Sequence, residues 1–277
     1  MNPVQKALWY VESHFVGEIS LEQIAEAAGA SRFYMTRAFA AATGRPIMRY
    51  VRARRLTEAA RQLANGAPDI LTVAMDVGYG SHEAFTRAFT EQFGVTPEAV
   101  RAQGNLSNLA LVEAIRMDQT PLENLEPPRF VNGKPLLITG LTERYTGESS
   151  AGIPAQWQRF LPHFNHIPGQ IGKVAYGVTY NADDEGHMDY LSGVEVPDFS
   201  RVPPEFARLR IPEQRYVVFS YPGHISGIRR LWAAIWTSWF PTSGHEPADG
   251  PNFERYGETF DPATGNGGLE LWIPLRR

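Results

Sequence analysis

The chain has 277 residues, of which 43% are hydrophobic and 20% charged, and it contains no cysteine. This composition is typical of a globular protein, and it excludes disulfides and thiolate metal sites. No apolar run approaches the roughly 20 residues that a membrane helix needs, so no membrane partner is expected. The N-terminal segment lacks a basic stretch followed by an apolar core, which favours a cytoplasmic protein without a signal peptide.

The net charge of −4 is unevenly distributed along the chain. The first 103 residues are nearly neutral, with 11 basic and 10 acidic side chains, and the remainder carries the acidic excess. Bulk charge therefore does not predict nucleic-acid binding, and the local arrangement of side chains must decide that question.

The first part of the chain predicts an all-α domain over residues 1–104. It is rich in Ala, Glu, Gln, Arg and Leu, and its apolar residues recur at helical spacing. Ser20, followed three residues later by Gln23, predicts a capping box. The expected helices cover about 3–15, 20–28, 31–42, 46–65, 70–77, 81–92 and 97–102. A Pro- and Asn-containing stretch, 105–130, predicts a linker, within which 107–118 allows a further helix.

The second part of the chain, 131–277, predicts an α+β domain with an antiparallel sheet. The predicted strands are PLLITGL, KVAYGVTY, MDYLSGVEV, QRYVVFSY, FERYGETF and LELWIPL. Two helical segments, about 154–165 and 225–239, interrupt them. The resulting order is β-α-β-β followed by a second β-α-β-β, which indicates a duplicated architecture.

One phrase occurs twice in the helical part of the chain. Residues 30–39 read ASRFYMTRAF, and residues 80–89 read GSHEAFTRAF. At 100° per residue each copy has an apolar face and a polar face. The residues expected to face inward are Tyr34, Met35, Ala38, Phe39 and Ala42 in the first copy, and Ala84, Phe85, Ala88 and Phe89 in the second.

The segments that precede the two copies also match. Ala25 stands four residues before Gly29, and Ala74 stands four residues before Gly78. A small Ala lets two helices approach closely, and a Gly permits a left-handed turn between them. Helix, Gly turn and second helix form the plan of the helix-turn-helix, whose second helix enters the major groove of DNA.

One such helix pair is weak evidence, because Ala-rich helix pairs with a Gly turn occur in many proteins that never bind DNA. Two pairs in register, with Arg37 and Arg87 at equivalent positions, favour DNA binding. An Arg-rich segment, 45–63, would join the two pairs over roughly 27 Å, close to one DNA turn. Ser31 and Ser81 are the expected N-caps, where helix amides can also hold a phosphate.

These motifs resemble the DNA-binding domain of AraC/XylS-type transcription regulators. The resemblance rests on IAEAAGASRFYMTRAF, the RYVRARRL stretch, VGYGSHEAFTRAF and the closing FGVTP, which appear in order. It implies double-stranded DNA as a partner. The expected DNA-contacting residues are Ser31, Arg32, Phe33, Thr36, Arg37, Ser81, His82, Glu83, Thr86 and Arg87. Glu83 departs from the Gln often found there; a Glu accepts from cytosine but repels phosphate.

The second part of the chain has no catalytic signature, and neither a metal nor a cofactor is expected. Its notable feature is a high density of aromatic residues beside acids. Strand alternation sends Glu254 and Tyr256 to one face of FERYGETF, and Phe253 and Arg255 to the other. A carboxylate among rings suits an organic cation, although each ring could equally be core.

This part resembles the GyrI-like effector domain of Rob-type and BmrR-type regulators. The resemblance rests on DYLSGVEV, RIPEQRYVVFSYPGHI, WFPTSGHEP, PNFERYGETF and LELWIPL. It implies two β-α-β-β units related by a pseudo-twofold axis, with a ligand cleft between them. It also implies that Glu254 contacts the ligand and that Tyr176, Tyr190 and Trp157 form aromatic walls.

The sequence as a whole predicts a DNA-binding transcription regulator with a small-molecule effector, and not an enzyme. RNA polymerase is a further candidate partner. Two alternatives stay open for the second domain. It could hydrolyse a small electrophile with Glu254 as general base, as some GyrI-like domains do, or it could be a ligand-blind interaction domain.

Overall fold

The computed structural model describes residues 2–67, 69–115, 125–146 and 152–276. They form two compact units, one helical and one built on a β-sheet, and residues 36–45 group with the second. The predicted architecture, all-α followed by α+β with an antiparallel sheet, is confirmed. No helix of the described residues combines the length and the apolarity that crossing a membrane would require.

Seven helices come first in the chain, close to their predicted positions. They are α1 Pro3–His14, α2 Leu21–Ala28, α3 Arg32–Thr43, α4 Ile47–Ala64, α5 Ile70–Asp76, α6 His82–Phe93 and α7 Pro97–Gln103. The helix allowed within 107–118 is absent from residues 107–115, and the rest of that range lies outside the described residues. The capping box of Ser20 and Gln23 is present at the start of α2.

The two helix-turn-helix pairs share their backbone geometry. Gly29 and Gly78 have φ angles of 68° and 82°, in the left-handed region that a Gly enters without a steric cost. In each turn an amide donates back to the Ala five residues before it, Ala30 to Ala25 and Tyr79 to Ala74, both at 2.9 Å. The matching sequence therefore folds into matching turns.

The inward face of α6 forms the centre of an apolar core. Phe85 and Phe89 are fully buried and pack with α4, α5 and α7. Ala84, which was expected to face inward, is exposed. Ala88, one turn further along the helix, is partly buried and packs against this core. The core therefore depends on the aromatic positions of the repeat.

A polar network joins α1 to α4. The Arg54 guanidinium donates to both carboxylate oxygens of Glu12, from Nε at 2.9 Å and from Nη2 at 2.7 Å, and the Tyr50 hydroxyl donates to Oε1 at 2.6 Å. Arg54 also donates to the carbonyl of Val112, which holds the segment after α7 along α4. Because Arg54 is almost completely buried, its positive charge requires the Glu12 carboxylate as a counterion.

Eight strands form one antiparallel sheet in the second unit. They are β1 Arg129–Gly133, β2 Leu136–Tyr145, β3 Ala175–Tyr180, β4 Met188–Glu195, β5 Ala207–Ile211, β6 Gln214–Tyr221, β7 Asn252–Tyr256 and β8 Leu269–Pro274. The sequence predicted six of them; β1 and β5 are additional, and β7 ends earlier than expected. The helices are α8 Ile153–Phe160, α9 Ile228–Ala234, a π-helical turn Ile235–Trp239 and α10 Phe240–Ser243.

The strand order shows how the duplicated units are joined. It runs β1-β6-β8-β7-β3-β4-β2-β5, so that each β-α-β-β unit contributes three adjacent strands and β7 pairs with β3 at the centre. The two additional strands are exchanged: β1 precedes the first unit in the chain but pairs with β6, and β5 precedes the second unit but pairs with β2. At each edge of the sheet, an additional strand therefore pairs with a strand of the other β-α-β-β unit.

The two faces of the sheet are covered differently. Helix α8 packs on one face, which is also the face of Glu254; we call it the helix face. The opposite face, which we call the open face, carries an aromatic and aliphatic cluster that includes Tyr176, Tyr216, Val218 and Phe253. Each strand therefore supplies alternate residues to two different environments.

We predict that Glu12→Gln lowers the free energy of unfolding of the helical unit by about 2–3 kcal/mol, because it leaves the buried Arg54 charge without its counterion. Hydrogen bonds from Arg54 and Tyr50 outweigh the cost of burial and lower the pKa of Glu12. The stabilisation is therefore present above the ordinary Glu pKa and is lost as the pH falls through the lowered value. Urea unfolding followed by far-ultraviolet circular dichroism measures both effects.

Glu113→Gln is the matched control. Glu113 pairs with Arg61; the Glu113 side chain is exposed and that of Arg61 is partly exposed. Removing an exposed pair costs about 0–1 kcal/mol. Equal losses in the two variants would contradict the role assigned to burial.

Candidate functional site

The candidate DNA-contacting residues lie on the second helix of each helix-turn-helix pair. Ser31 and Ser81 cap α3 and α6 with the same bond, since each hydroxyl accepts from the amide three residues later at 3.2 Å. The following residues lie on the first two turns. Arg32, Glu83 and Arg87 are exposed, and Phe33, Thr36, Arg37, His82 and Thr86 are partly buried. The two helices thus present their predicted residues at equivalent positions.

Two of these residues form surface ion pairs in the absence of DNA. Arg32 pairs with Glu22, and His82 Nε2 lies 3.4 Å from Glu98 Oε1. Exposed pairs of this kind contribute little to stability and can be exchanged for a phosphate or a base at small cost.

Glu254 on β7 is the centre of a hydrogen-bonded cluster on the helix face. The hydroxyls of Tyr190 and Tyr256 both donate to its Oε2 atom at 2.7 Å, and Trp232 Nε1 lies 3.4 Å from Oε1. Tyr190 and Tyr256 are buried, whereas Glu254 itself keeps partial contact with solvent. The carboxylate is therefore held in place by neutral donors at the end of a path to solvent.

Aromatic rings from two helices and two strands surround this carboxylate. Trp157 on α8 donates to the Tyr190 hydroxyl at 3.0 Å, and its ring meets that of Tyr256 edge to face at 5.1 Å. Trp232 on α9 closes the other side. The arrangement brings three of the four predicted ligand residues together: Glu254, Tyr190 and Trp157.

Among the described residues, the groups that act on the Glu254 carboxylate are Tyr256, Tyr190 and Trp232, and none of them is a cation. Burial raises the pKa of Glu254, and the hydrogen bonds from Tyr256, Tyr190 and Trp232 offset this only in part. Burial and the neighbouring Glu254 also raise the pKa of Tyr190 and Tyr256 well above the ordinary value. Both hydroxyls consequently remain protonated donors.

Gly177 on β3 makes this arrangement possible. It lies between Glu254 and Ser192 in the strand pairing, directly beneath the cluster. A Cβ atom at Gly177 would lie 2.1 Å from the Tyr190 hydroxyl oxygen and 2.7 Å from Glu254 Oε2. Any larger residue would therefore separate the carboxylate from its donor.

Further polar groups on the same face lack partners. The side-chain oxygens of Gln156, Ser192 and Asn252 are buried and accept no hydrogen bond from the described residues. Gln156 on α8 is fixed through its amide nitrogen, which donates to the carbonyls of Leu141 and Tyr190. Buried polar atoms are normally satisfied, so these three unpaired oxygens are an exception among the described residues.

Tyr176 is the exception among the predicted ligand residues. It pairs with Arg255 across β3 and β7, so it lies on the open face and not beside Glu254. Its hydroxyl lies 3.2 Å from Glu195 Oε2, and its ring meets Phe253. Strand alternation within AYGVTY separates Tyr176 from Gly177, whose face is that of Glu254.

Sequence reasoning did not select Trp232, Tyr256, Gly177 or Gln156 as site residues. Tyr256 had a usable signal, since it lies two residues after Glu254 on the same strand face. Among the described residues, no group of three or more His, Cys, Asp or Glu side chains is placed to hold a metal ion.

Comparisons with known proteins cover both units. Residues 126–276 match the family model of the GyrI-like small molecule binding domain, and residues 24–103 match that of a helix-turn-helix domain. The chain is 27% identical over 290 residues to the transcriptional regulator Rob of Salmonella typhimurium, covering 99% of this chain and 98% of Rob.

Two further relatives match one part of the chain each. The transcriptional regulator BrlR of Pseudomonas aeruginosa is 32% identical over 150 residues, which cover 53% of this chain and 54% of BrlR. The regulatory protein SoxS of Escherichia coli is 33% identical over 98 residues, which cover 35% of this chain and 92% of SoxS. The chain therefore belongs to the GyrI-like small-molecule-binding family, and with its helix-turn-helix domain it is a DNA-binding transcription regulator of the AraC/XylS type.

Proposed function

We propose that the Glu254 cluster is the effector site of this regulator and that it binds an organic cation with an aromatic or amphipathic body. The observation that carries this proposal is the partly buried carboxylate of Glu254, which is surrounded by aromatic rings and has no cationic partner. Binding would change how the protein acts on promoters that α3 and α6 contact.

The energetics favour a positively charged ligand. A carboxylate in a low-dielectric site is destabilised unless a counterion compensates it, and here only neutral donors are present. A cation would supply that compensation and could also contact the faces of Trp157 and Trp232, an attraction of about 0.5–2 kcal/mol per ring. A neutral ligand would gain neither term.

We propose recognition rather than chemistry at this site. A general base needs a carboxylate oxygen that is free to take a proton from water. Oε2 of Glu254 already accepts from two tyrosine hydroxyls, and Oε1 faces the indole N–H of Trp232 at 3.4 Å, so both oxygens are directed at donors. The similarity to transcriptional regulators also supports a non-enzymatic role. A contact with RNA polymerase stays a prediction.

We predict that Glu254→Gln weakens the binding of benzyltrimethylammonium to the full-length protein at least tenfold, because the variant keeps the hydrogen-bond acceptor but loses the charge. This cation carries a permanent charge, so only the protein titrates. Its affinity should rise as the pH increases through the raised pKa of Glu254 and level off above it. Isothermal titration calorimetry between pH 5 and 8 measures this profile.

The Glu254→Gln protein should show no such pH profile. If the variant binds as tightly as the parent protein, or if both proteins share the same pH dependence, Glu254 does not recognise the cation. Consumption of the ligand, which is checked by mass spectrometry after incubation, would contradict the assignment as a binding site without chemistry.

We predict that Gly177→Ala lowers the free energy of unfolding by about 1–3 kcal/mol and weakens binding of the same cation, because its Cβ atom would push Tyr190 away from Glu254. Gly257→Ala is the control, since a Cβ atom there meets nothing within 4 Å. Urea unfolding and calorimetry report the two effects. Unchanged cation affinity in Gly177→Ala would show that the Tyr190 contact is not part of the site.

We predict that Arg37→Ala and Arg87→Ala each cost about 1–3 kcal/mol of DNA-binding free energy and relax base preference at separate positions of the target. The probe is a fragment of the protein's own promoter, measured by fluorescence anisotropy between 50 and 200 mM salt, where log affinity should fall with log salt. Arg210→Ala is the control, because it removes an exposed cation from the sheet. An equal loss in all three variants would contradict specific roles for Arg37 and Arg87.

A further inference from the structure

The open face of the sheet contains a second cavity, which is separate from the Glu254 cluster. Its volume is about 380 Å³, within the range of small-molecule sites. The residues around it come from β1, β3, β6, β7 and β8 and from the turn after β1. They are Arg129, Val131, Lys134, Tyr176, Tyr216, Phe253, Arg255 and Trp272, with Asn132, Gly133 and Leu136 beside them.

The walls of this cavity are aromatic and well fixed. Phe253 and Trp272 stack with ring centroids 5.3 Å apart and an interplanar angle of 17°, and Tyr216 meets both rings edge to face. Gly133 allows Tyr216 to lie against the β1 backbone, since a Cβ atom there would be 2.7 Å from the Tyr216 ring. Tyr216 and Phe253 are almost fully buried, whereas Trp272 keeps partial exposure and has the Arg129 guanidinium 5.3 Å from its ring centroid. The wall therefore offers a ligand the exposed part of Trp272 next to a cation.

The charged residues that line the cavity are all cationic. Arg129, Arg255 and Lys134 are among its lining residues, and no carboxylate is. Glu270 lies next to the two arginines and hydrogen-bonds both of them, with Arg255 Nη1 at 3.4 Å from Oε2. One carboxylate thus orients two guanidinium groups, which leaves a positive charge facing the cavity.

Tyr176 is the cross-strand neighbour of Arg255 on the same face. Its hydroxyl donates to Glu195 Oε2 at 3.2 Å, so a second carboxylate lies close to the cavity wall. Burial and the neighbouring Glu195 raise the pKa of Tyr176 to about 12, and burial raises that of Tyr216 to about 12. Both hydroxyls therefore stay protonated, and because Tyr176 donates its one proton to Glu195, recognition of an anion depends on the cationic side chains of the cavity.

We propose that this cavity binds a planar aromatic anion, such as an aryl carboxylate, with its ring beside the exposed part of Trp272 and its charged group toward Arg255 and Lys134. Guanidinium groups bind carboxylates through paired hydrogen bonds, and the aromatic wall supplies apolar contact. Glu254 and Arg255 are adjacent on β7 but point to opposite faces, so the sheet carries two sites that select ligands of opposite charge.

The experiment uses the full-length protein with naphthalene-2-carboxylate and with its neutral carboxamide, both titrated by calorimetry. We expect the carboxylate to bind and the carboxamide to bind at least tenfold more weakly. Arg255→Gln should reduce carboxylate affinity at least tenfold. Lys134→Gln, which alters an exposed side chain, should reduce it about two- to fivefold.

Glu254→Gln is the matched control, since it changes the neighbouring residue on the helix face. It should leave carboxylate binding unchanged while it weakens benzyltrimethylammonium, and Arg255→Gln should do the reverse. Equal binding of carboxylate and carboxamide would overturn the proposal, as would full affinity in both Arg255→Gln and Lys134→Gln. Thermal unfolding checks that Arg255→Gln is folded, and Lys134→Gln keeps the test decisive if it is not.

Discussion

Side chains alternate between the two faces of an antiparallel strand, and this period of two governs what the sheet can bind. On β7 it sends Glu254 toward the helices and Arg255 toward the open face. On β3 it places Gly177 beneath the carboxylate and Tyr176 beneath the guanidinium. A shift of either strand by one residue would exchange the two environments, so the register of the β3–β7 pair is the constraint on which both proposed sites depend.

The helical unit also depends on a few local features of the backbone, namely Gly turns and Ser N-caps. A Gly in the left-handed region ends the first helix of each pair, and a Ser caps the second helix with the same hydrogen bond. These features are local in sequence, and they fix where α3 and α6 begin. The positions of Arg37 and Arg87 on their helices follow from those helix starts. The residues before them differ, Arg32 and Phe33 in α3 but His82 and Glu83 in α6, so the two helices carry different surfaces.

Much of the fold could be predicted from the sequence because its signals are local. Helical spacing, N-caps and Gly turns gave the seven N-terminal helices within about two residues. The missed strands β1 and β5 are short. Strand β1 pairs with β6 of the second β-α-β-β unit, and β5 pairs with β2 of the first, and no local sequence pattern encodes such long-range pairing. The structure places Tyr176 on the face opposite Glu254, which the local density of aromatic residues does not indicate. Trp232 reaches Glu254 only through the tertiary placement of α9.

The Glu254 cluster departs from the rule that buried charges are paired, and that departure has a thermodynamic meaning. Because its pKa is raised in the folded protein, ionisation of Glu254 opposes folding as the pH rises from the ordinary Glu pKa through the raised value. The unliganded domain therefore carries a local cost that its hydrogen bonds relieve only in part. A cation that enters the cluster removes this cost, so ligand binding and domain stability are linked through one carboxylate. Such local costs persist in native proteins mainly where function requires them.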